Sequence, residues 1–159
     1  MTLDAVAMPA NPPGVTMKLE SGTVVAILPC NDLDASESFY ARVGFTRTNA
    51  PTPGEPDTYR MLSNGTSRLH LTDAVFGWLI PGKNPFGLCF YMEDVDRWAA
   101  EFRAEIIGKD APNHKPWGTD EFAVSDPDET LVRVGWPTRL HKVKTESKTA
   151  YKTKPKTGT

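Results

Sequence analysis

No stretch of these 159 residues approaches the roughly 18 to 20 consecutive apolar residues that a membrane-spanning helix needs. Residues Met1 to Val15 lack both a basic start and a long apolar run, so secretion by a standard signal is not expected, and a cytoplasmic location is. Cysteine is scarce. Cys30 and Cys89 are the only two, they sit in strand-like runs without metal-finger spacing, and in a reducing compartment they read as small buried hydrophobes. The chain also lacks a Gly-rich phosphate loop, a Cys-x-x-Cys pair and a serine elbow. Asp32/Asp34 and Asp126/Asp128 are close carboxylates, but at a helix start and in a turn each pair already has structural work. Charge of one sign is missing only on average. From Arg139 to Thr159 there are seven Lys/Arg against one Glu, so the remainder carries eleven against nineteen Asp/Glu. An acidic body favours a cationic ligand over nucleic acid, and no specific nucleic-acid or membrane partner is expected.

What is present suffices for one compact domain or two small modules sharing a core, with 39% of residues hydrophobic. Lys115-Pro-Trp-Gly118 followed by Glu121 to Val134 reads as loop, strand, tight turn and strand. Phe122 and Val124 alternate with Ala123 and Ser125, Val132 and Val134 with Leu131 and Arg133, and Asp126-Pro-Asp128 has turn chemistry. Upstream, residues 23–29 form a first strand. Residues 31–44 form a helix on which Asp34 and Glu37 fit a capping box and Gly44 is the stop. A short strand over 45–48 and a Pro/Gly-rich loop lead to a hairpin of 59–63 and 67–72 around Asn64-Gly65. A strand over 87–92 and a helix over 93–105, with Val95, Trp98, Ala99, Phe102 and Ile106 on one side, open the second half. Trp98 and Phe102 are expected in the core.

The two halves repeat. At an offset of 62, Asp32-Leu33-Asp34 falls on Asp94-Val95-Asp96, and at 63, Tyr59, Met61, Leu69 and Leu71 fall on Phe122, Val124, Val132 and Val134. The expected class is α+β, two βαβββ repeats forming a cupped mixed sheet. The expected division is a flexible leader over 1–21, a domain over 22–137 with halves of about 22–76 and 84–137, and a basic, disordered tail over 138–159.

A doubled βαβββ module with Asn31-Asp-Leu-x-x-Ser-x-x-Phe-Tyr40 before its first helix and Asp126-Pro-Asp-x-x-Leu-Val132 before its last strand resembles the vicinal oxygen chelate superfamily. Within it, Lys115-Pro-Trp-Gly118 with Glu121-Phe-Ala-Val-x-Asp-Pro127 is similar to the bleomycin resistance proteins. The superfamily's enzymes hold a divalent metal with one residue from the first and one from the last strand of each half, which here map to Val25, His70, Gly87 and Arg133. Valine and glycine offer no ligand atom and an arginine repels a cation, so neither a metal nor another cofactor is expected.

Strand alternation then turns Ile27, Arg68, Thr72, Cys89, Tyr91, Leu131 and Gly135 to the cleft as well. By the resemblance Trp117 stacks on a planar ligand and Tyr59 is the opposing aromatic, while packing at the domain edge or within a strand is the plainer reading of each. The ligand-binding set is Trp117, Tyr59, His70, Tyr91, Cys89, Arg133, Lys115 and Gly118, and no residue is assigned a catalytic role. His70 reads equally as a neutral, hydrogen-bonded histidine of a polar cleft, and Arg133 is expected to meet a carboxylate or ligand oxygens. The favoured function is a homodimeric, non-catalytic protein that sequesters bleomycin or another bulky planar small molecule and so gives antibiotic resistance. The competing readings are a glyoxalase- or dioxygenase-like enzyme with an atypical or absent metal site, and an interaction module with a basic tail.

Overall fold

The computed structural model describes residues 21–108 and 112–140; the leader over 1–20 and most of the basic tail lie outside them. The elements run β1 (Ala26–Cys30), α1 (Leu33–Arg42), β2 (Thr46–Arg47), β3 (Tyr59–Asn64), β4 (Ser67–Asp73), then β5 (Gly87–Tyr91), α2 (Val95–Glu101), β6 (Asn113–His114), β7 (Thr119–Ser125) and β8 (Leu131–Pro137). This is the βαβββ order twice, an α+β fold of two four-stranded mixed sheets ordered β1-β4-β3-β2 and β5-β8-β7-β6. Two compact units contain them, residues 21–84 with the turn Asp126–Glu129, and residues 85–125 with 130–140.

In the first unit α1 begins one residue pair earlier than the capping box implied. Asp32 is the N-cap, its Oδ1 accepting from the backbone N–H groups of Asp34 at 2.9 Å and Ala35 at 3.0 Å. Asp34 and Glu37 are thereby free for another purpose. Each accepts from Arg60 at 2.7 Å, while Arg60 also donates to the Leu33 carbonyl at 3.1 Å. The helix stops at Gly44, whose φ of 88° suits glycine and where an added Cβ would lie 2.9 Å from Asn64 Nδ2.

Motif residues 31–40 meet the turn Asp126–Glu129. Asp128 accepts from Asn31 Nδ2 at 2.7 Å and from the Asn31 backbone at 3.2 Å, and the buried Tyr40 phenol donates to Asp126 at 2.8 Å. Leu33, Ser36 and Phe39 are buried beside them. The turn carboxylates therefore hold the start of α1, beyond the turn-forming work expected of them, in which Asp126 accepts from the Asp128 backbone N–H at 3.0 Å.

Pairing of β3 with β4 corrects the repeat register. Leu62 opposes Leu69 and Arg60 opposes Leu71, and these four are buried, whereas Tyr59 and Met61 lie on the other face with Thr72 and His70. In the second unit Val124 opposes Val132 and Phe122 opposes Val134. Arg60 and Leu62 therefore correspond to Phe122 and Val124, at an offset of 62, and Tyr59 corresponds to Glu121. The expected pairs Leu69/Val132 and Leu71/Val134 are core in both units. The hairpin loop is Gly65-Thr66, one residue beyond the position read from Asn64-Gly65, because Asn64 still pairs with Ser67. Helix α2 is short, and it buries Val95 and Ala99 with Phe102 just beyond its end. Trp98 is only half-buried, with the Arg97 guanidinium 5.4 Å from its ring centre, so it is not the core residue its spacing implied.

Candidate functional site

The face opposite the core carries the candidate residues, and in the second unit it carries a cavity of about 280 Å3. The Lys115-Pro-Trp-Gly turn builds its rim. Lys115 N–H donates to Thr119 O at 2.8 Å and Gly118 N–H to Lys115 O at 2.9 Å. Pro116 at the first central position and Gly118 at a φ of 87° are the residues this turn requires. Trp117 is held at the tip, 60% exposed.

Glu121 anchors the group. It is 4% exposed, and its Oε2 accepts from Trp117 Nε1 at 3.0 Å and from Thr119 Oγ1 at 2.7 Å. Its Oε1 faces Arg133 Nη1 at 3.8 Å, which is an ion pair too long for a hydrogen bond. The Arg133 guanidinium lies 5.5 Å from the Trp117 ring centre, within cation–π range. Room for Glu121 comes from its cross-strand partner Gly135, where an added Cβ would stand 2.8 Å from Glu121 Cβ. Lys115, Asn113, Ile107, Ala123 and Leu131 line the rest.

Of the sequence candidates in this unit, Trp117, Arg133 and Lys115 share the cavity, and Gly118 shapes the turn without lining it. Cys89 is exposed and in register with Arg133, which corrects its reading as a buried hydrophobe, and burial of its neighbourhood raises the thiol with only partial relief from Arg133. Cys30 is buried, as expected, and burial pushes it up to about 11. Tyr91 is exposed and in register with Gly135. Sequence reasoning missed Glu121 and Thr119, although alternation about Phe122 places Glu121 on the same face as Arg133.

In the first unit Tyr59 and His70 meet, with the phenol 2.8 Å from Nδ1 and the rings edge-on. Burial raises the Tyr59 phenol and lowers His70, so at neutral pH a protonated phenol faces a neutral imidazole. Val25, His70, Gly87 and Arg133 do not fit a divalent metal. Only His70 has a donor atom to give, and one of its nitrogens is already engaged by Tyr59. Among the described residues no three His, Cys, Asp or Glu side chains gather where they could hold a metal ion. No described helix is long and apolar enough to cross a membrane.

A larger cavity in the first unit, about 570 Å3, is lined by Asp34, Glu37, Arg47, Asp57 and Arg60. Two guanidiniums there meet three carboxylates. Arg47 grips Asp57 through two bonds of 2.6 and 2.8 Å, and that grip holds the Asp57 carboxyl below the usual carboxylate range. Arg60 Nε adds a contact of 3.2 Å to Asp57 that lacks hydrogen-bond alignment. This cluster braces α1 against the sheet.

The family described as Glyoxalase/Bleomycin resistance protein/Dioxygenase superfamily matches residues 22–134. Among solved structures, a bleomycin-binding protein complexed with bleomycin is 25% identical, with 73% of this chain and 98% of that chain covered and a TM-score of 0.57. TnmS3, an antibiotic binding protein from Streptomyces sp. CB03234, is 26% identical over 77% and 99%, also at 0.57. A lactoylglutathione lyase from Agrobacterium tumefaciens is 27% identical over 74% and 95%, at 0.54. No curated protein matches the sequence.

Proposed function

The chain belongs to the Glyoxalase/Bleomycin resistance protein/Dioxygenase superfamily, and from that premise we propose that it binds a bulky planar small molecule of the antibiotic type and withholds it unchanged. The observation that carries this reading is the Trp117–Glu121–Arg133 assembly. An indole stands at the mouth of a cavity, fixed through its N–H and backed by a guanidinium, with apolar Ile107 and Leu131 alongside. Such a surface offers a flat ring a stacking face worth roughly 0.5–1.5 kcal/mol beyond burial. Its described residues include no nucleophile with an adjacent base, and of the positions at which metalloenzymes of the superfamily hold their ion only His70 carries a donor.

Ligand contact is assigned to Trp117, Arg133 and Lys115, with Cys89 and Tyr91 on the same sheet and Gly118 shaping the turn. Tyr59 and His70 are assigned the polar contacts of the first unit. The protein acts as a homodimer whose subunit interface adjoins the binding cleft. Burial of the exposed Val75, Phe76 and Trp78 in that interface would suit it. Two cysteines left as thiols suit a cytoplasmic location.

Resistance by sequestration follows mass action. It needs protein in excess of drug and a dissociation constant well below the drug concentration. The test is a titration of intrinsic tryptophan fluorescence with bleomycin. Saturable quenching that Trp117→Ala weakens at least about tenfold is expected. Quenching of equal affinity in the variant would refute the assignment.

A further inference from the structure

Resting on that binding reading, we infer that the cavity of the second unit selects planar aromatic ligands that carry an anionic group, a carboxylate or its equivalent. Three charged side chains line it, Lys115, Glu121 and Arg133. The carboxylate is not available to a ligand. Its Oε2 is taken by Trp117 and Thr119, its Oε1 faces Arg133, and the side chain is 5% exposed. The guanidinium is the reverse case. Its side chain is 44% exposed, its nearest carboxylate oxygen is 3.8 Å away, and its central carbon lies 5.5 Å from the indole ring centre. Lys115 has no ion-pair partner among the described residues.

The cavity therefore offers N–H donors from Arg133 and Lys115 and a net charge of one positive unit, beside the apolar Ile107 and Leu131. An arginine edge matches a carboxylate in two parallel bonds, and a cation placed there would meet two like charges. The acidic body of the chain does not reverse this. Beyond about 8–10 Å its charges are screened by salt, whereas the contacts within the cavity act at bonding distance. A volume of about 280 Å3 sits at the small end of ligand-sized cavities, roughly 300–1,000 Å3, and suits a two-ring aromatic portion with its acid group.

Three probes of one shape separate the possibilities: 2-naphthoate, the neutral 2-naphthamide and the cationic 2-(aminomethyl)naphthalene, each titrated calorimetrically into the full chain. The naphthoate is expected to bind at least about tenfold tighter than the amide and the amine weakest. Arg133→Gln should erase the preference, Arg133→Lys should restore part of it, and 0.5 M salt should reduce it. Lys115→Gln, in the exposed turn, supplies a second variant that should halve the preference or more should Arg133→Gln fail to fold. Equal or tighter binding of the amide or amine, with Trp117→Ala weakening all three probes, overturns the anion preference while the binding reading stands. A preference unchanged in both Arg133→Gln and Lys115→Gln overturns the assignment to these cations. If no probe binds, the inference falls, and the bleomycin titration then judges the binding reading separately.

Discussion

Replacing Glu121 by alanine removes one side chain that three others lean on, and the structure sets the size of the loss. Thr119 is 7% exposed, so its hydroxyl loses an acceptor that water replaces poorly; that costs about 1–3 kcal/mol. The Trp117 indole belongs to a residue 60% exposed, and its N–H returns to water at a cost under about 1 kcal/mol. The Arg133 contact is long and half-exposed, so solvent screening leaves it about 0–1 kcal/mol. Removing a buried carboxylate recovers part of its desolvation cost, which opposes these losses. A net destabilisation of about 1–3 kcal/mol is expected for Glu121→Ala, and less than about 1 kcal/mol for Glu121→Gln, whose amide oxygen still accepts. Urea unfolding reads both as a lower midpoint at unchanged slope. The alanine variant should also bind bleomycin more weakly, since Trp117 loses its tether. A neutral or stabilising Glu121→Ala would show that Glu121 anchors nothing, and a glutamine variant as costly as the alanine would show that the charge rather than the acceptor oxygen holds the group.

Gly135→Ala forces a Cβ to 2.8 Å from Glu121 Cβ and 3.3 Å from the Asp120 carbonyl. It should cost about 1–3 kcal/mol as overpacking, and a midpoint within error of the parent would contradict the register of β7 and β8. Tyr40→Phe leaves Asp126, 5% exposed, without the phenol that donates to it. A loss of about 1–3 kcal/mol is expected, and a silent substitution would mean that the turn does not hold α1. His70 is lowered by burial, so between its folded value and the unfolded value near 6.5 the unfolded chain binds more protons and stability rises with pH. The penalty is absent above about pH 6.5 and complete below the folded value. His70→Gln should flatten that slope, and a slope unchanged in the variant would place the titration elsewhere.

Most of the core was legible because its signal has a period of two. Val132 and Val134 face inward with nothing polar to interrupt the alternation, and Leu69 and Leu71 repeat them. The register of β3 was not legible. Arg60 occupies a core-facing position, made tolerable by Asp34, Glu37 and Asp57, so an offset of 63 aligns the apolar-looking Tyr59 and Met61 with the core residues Phe122 and Val124. The same network explains the misplaced cap, since Asp34 at the start of a helix looks like a cap until its arginine is known. In the second unit Trp117 stood out as an aromatic in a turn. Its anchor did not, because the burial of Glu121 depends on Gly135 across the strand pair and on Thr119 and Trp117 reached through the turn. Trp98 had core spacing, yet α2 is too short to cover it.

The central claim is that this protein holds its ligand and does not convert it. The direct measurement is recovery of bleomycin by mass spectrometry after incubation with a tenth of an equivalent of protein, followed by denaturation to release what was bound. All of the drug should return unmodified, with the withheld fraction never exceeding one molecule per chain. Loss or chemical change of more drug than there is protein would contradict it.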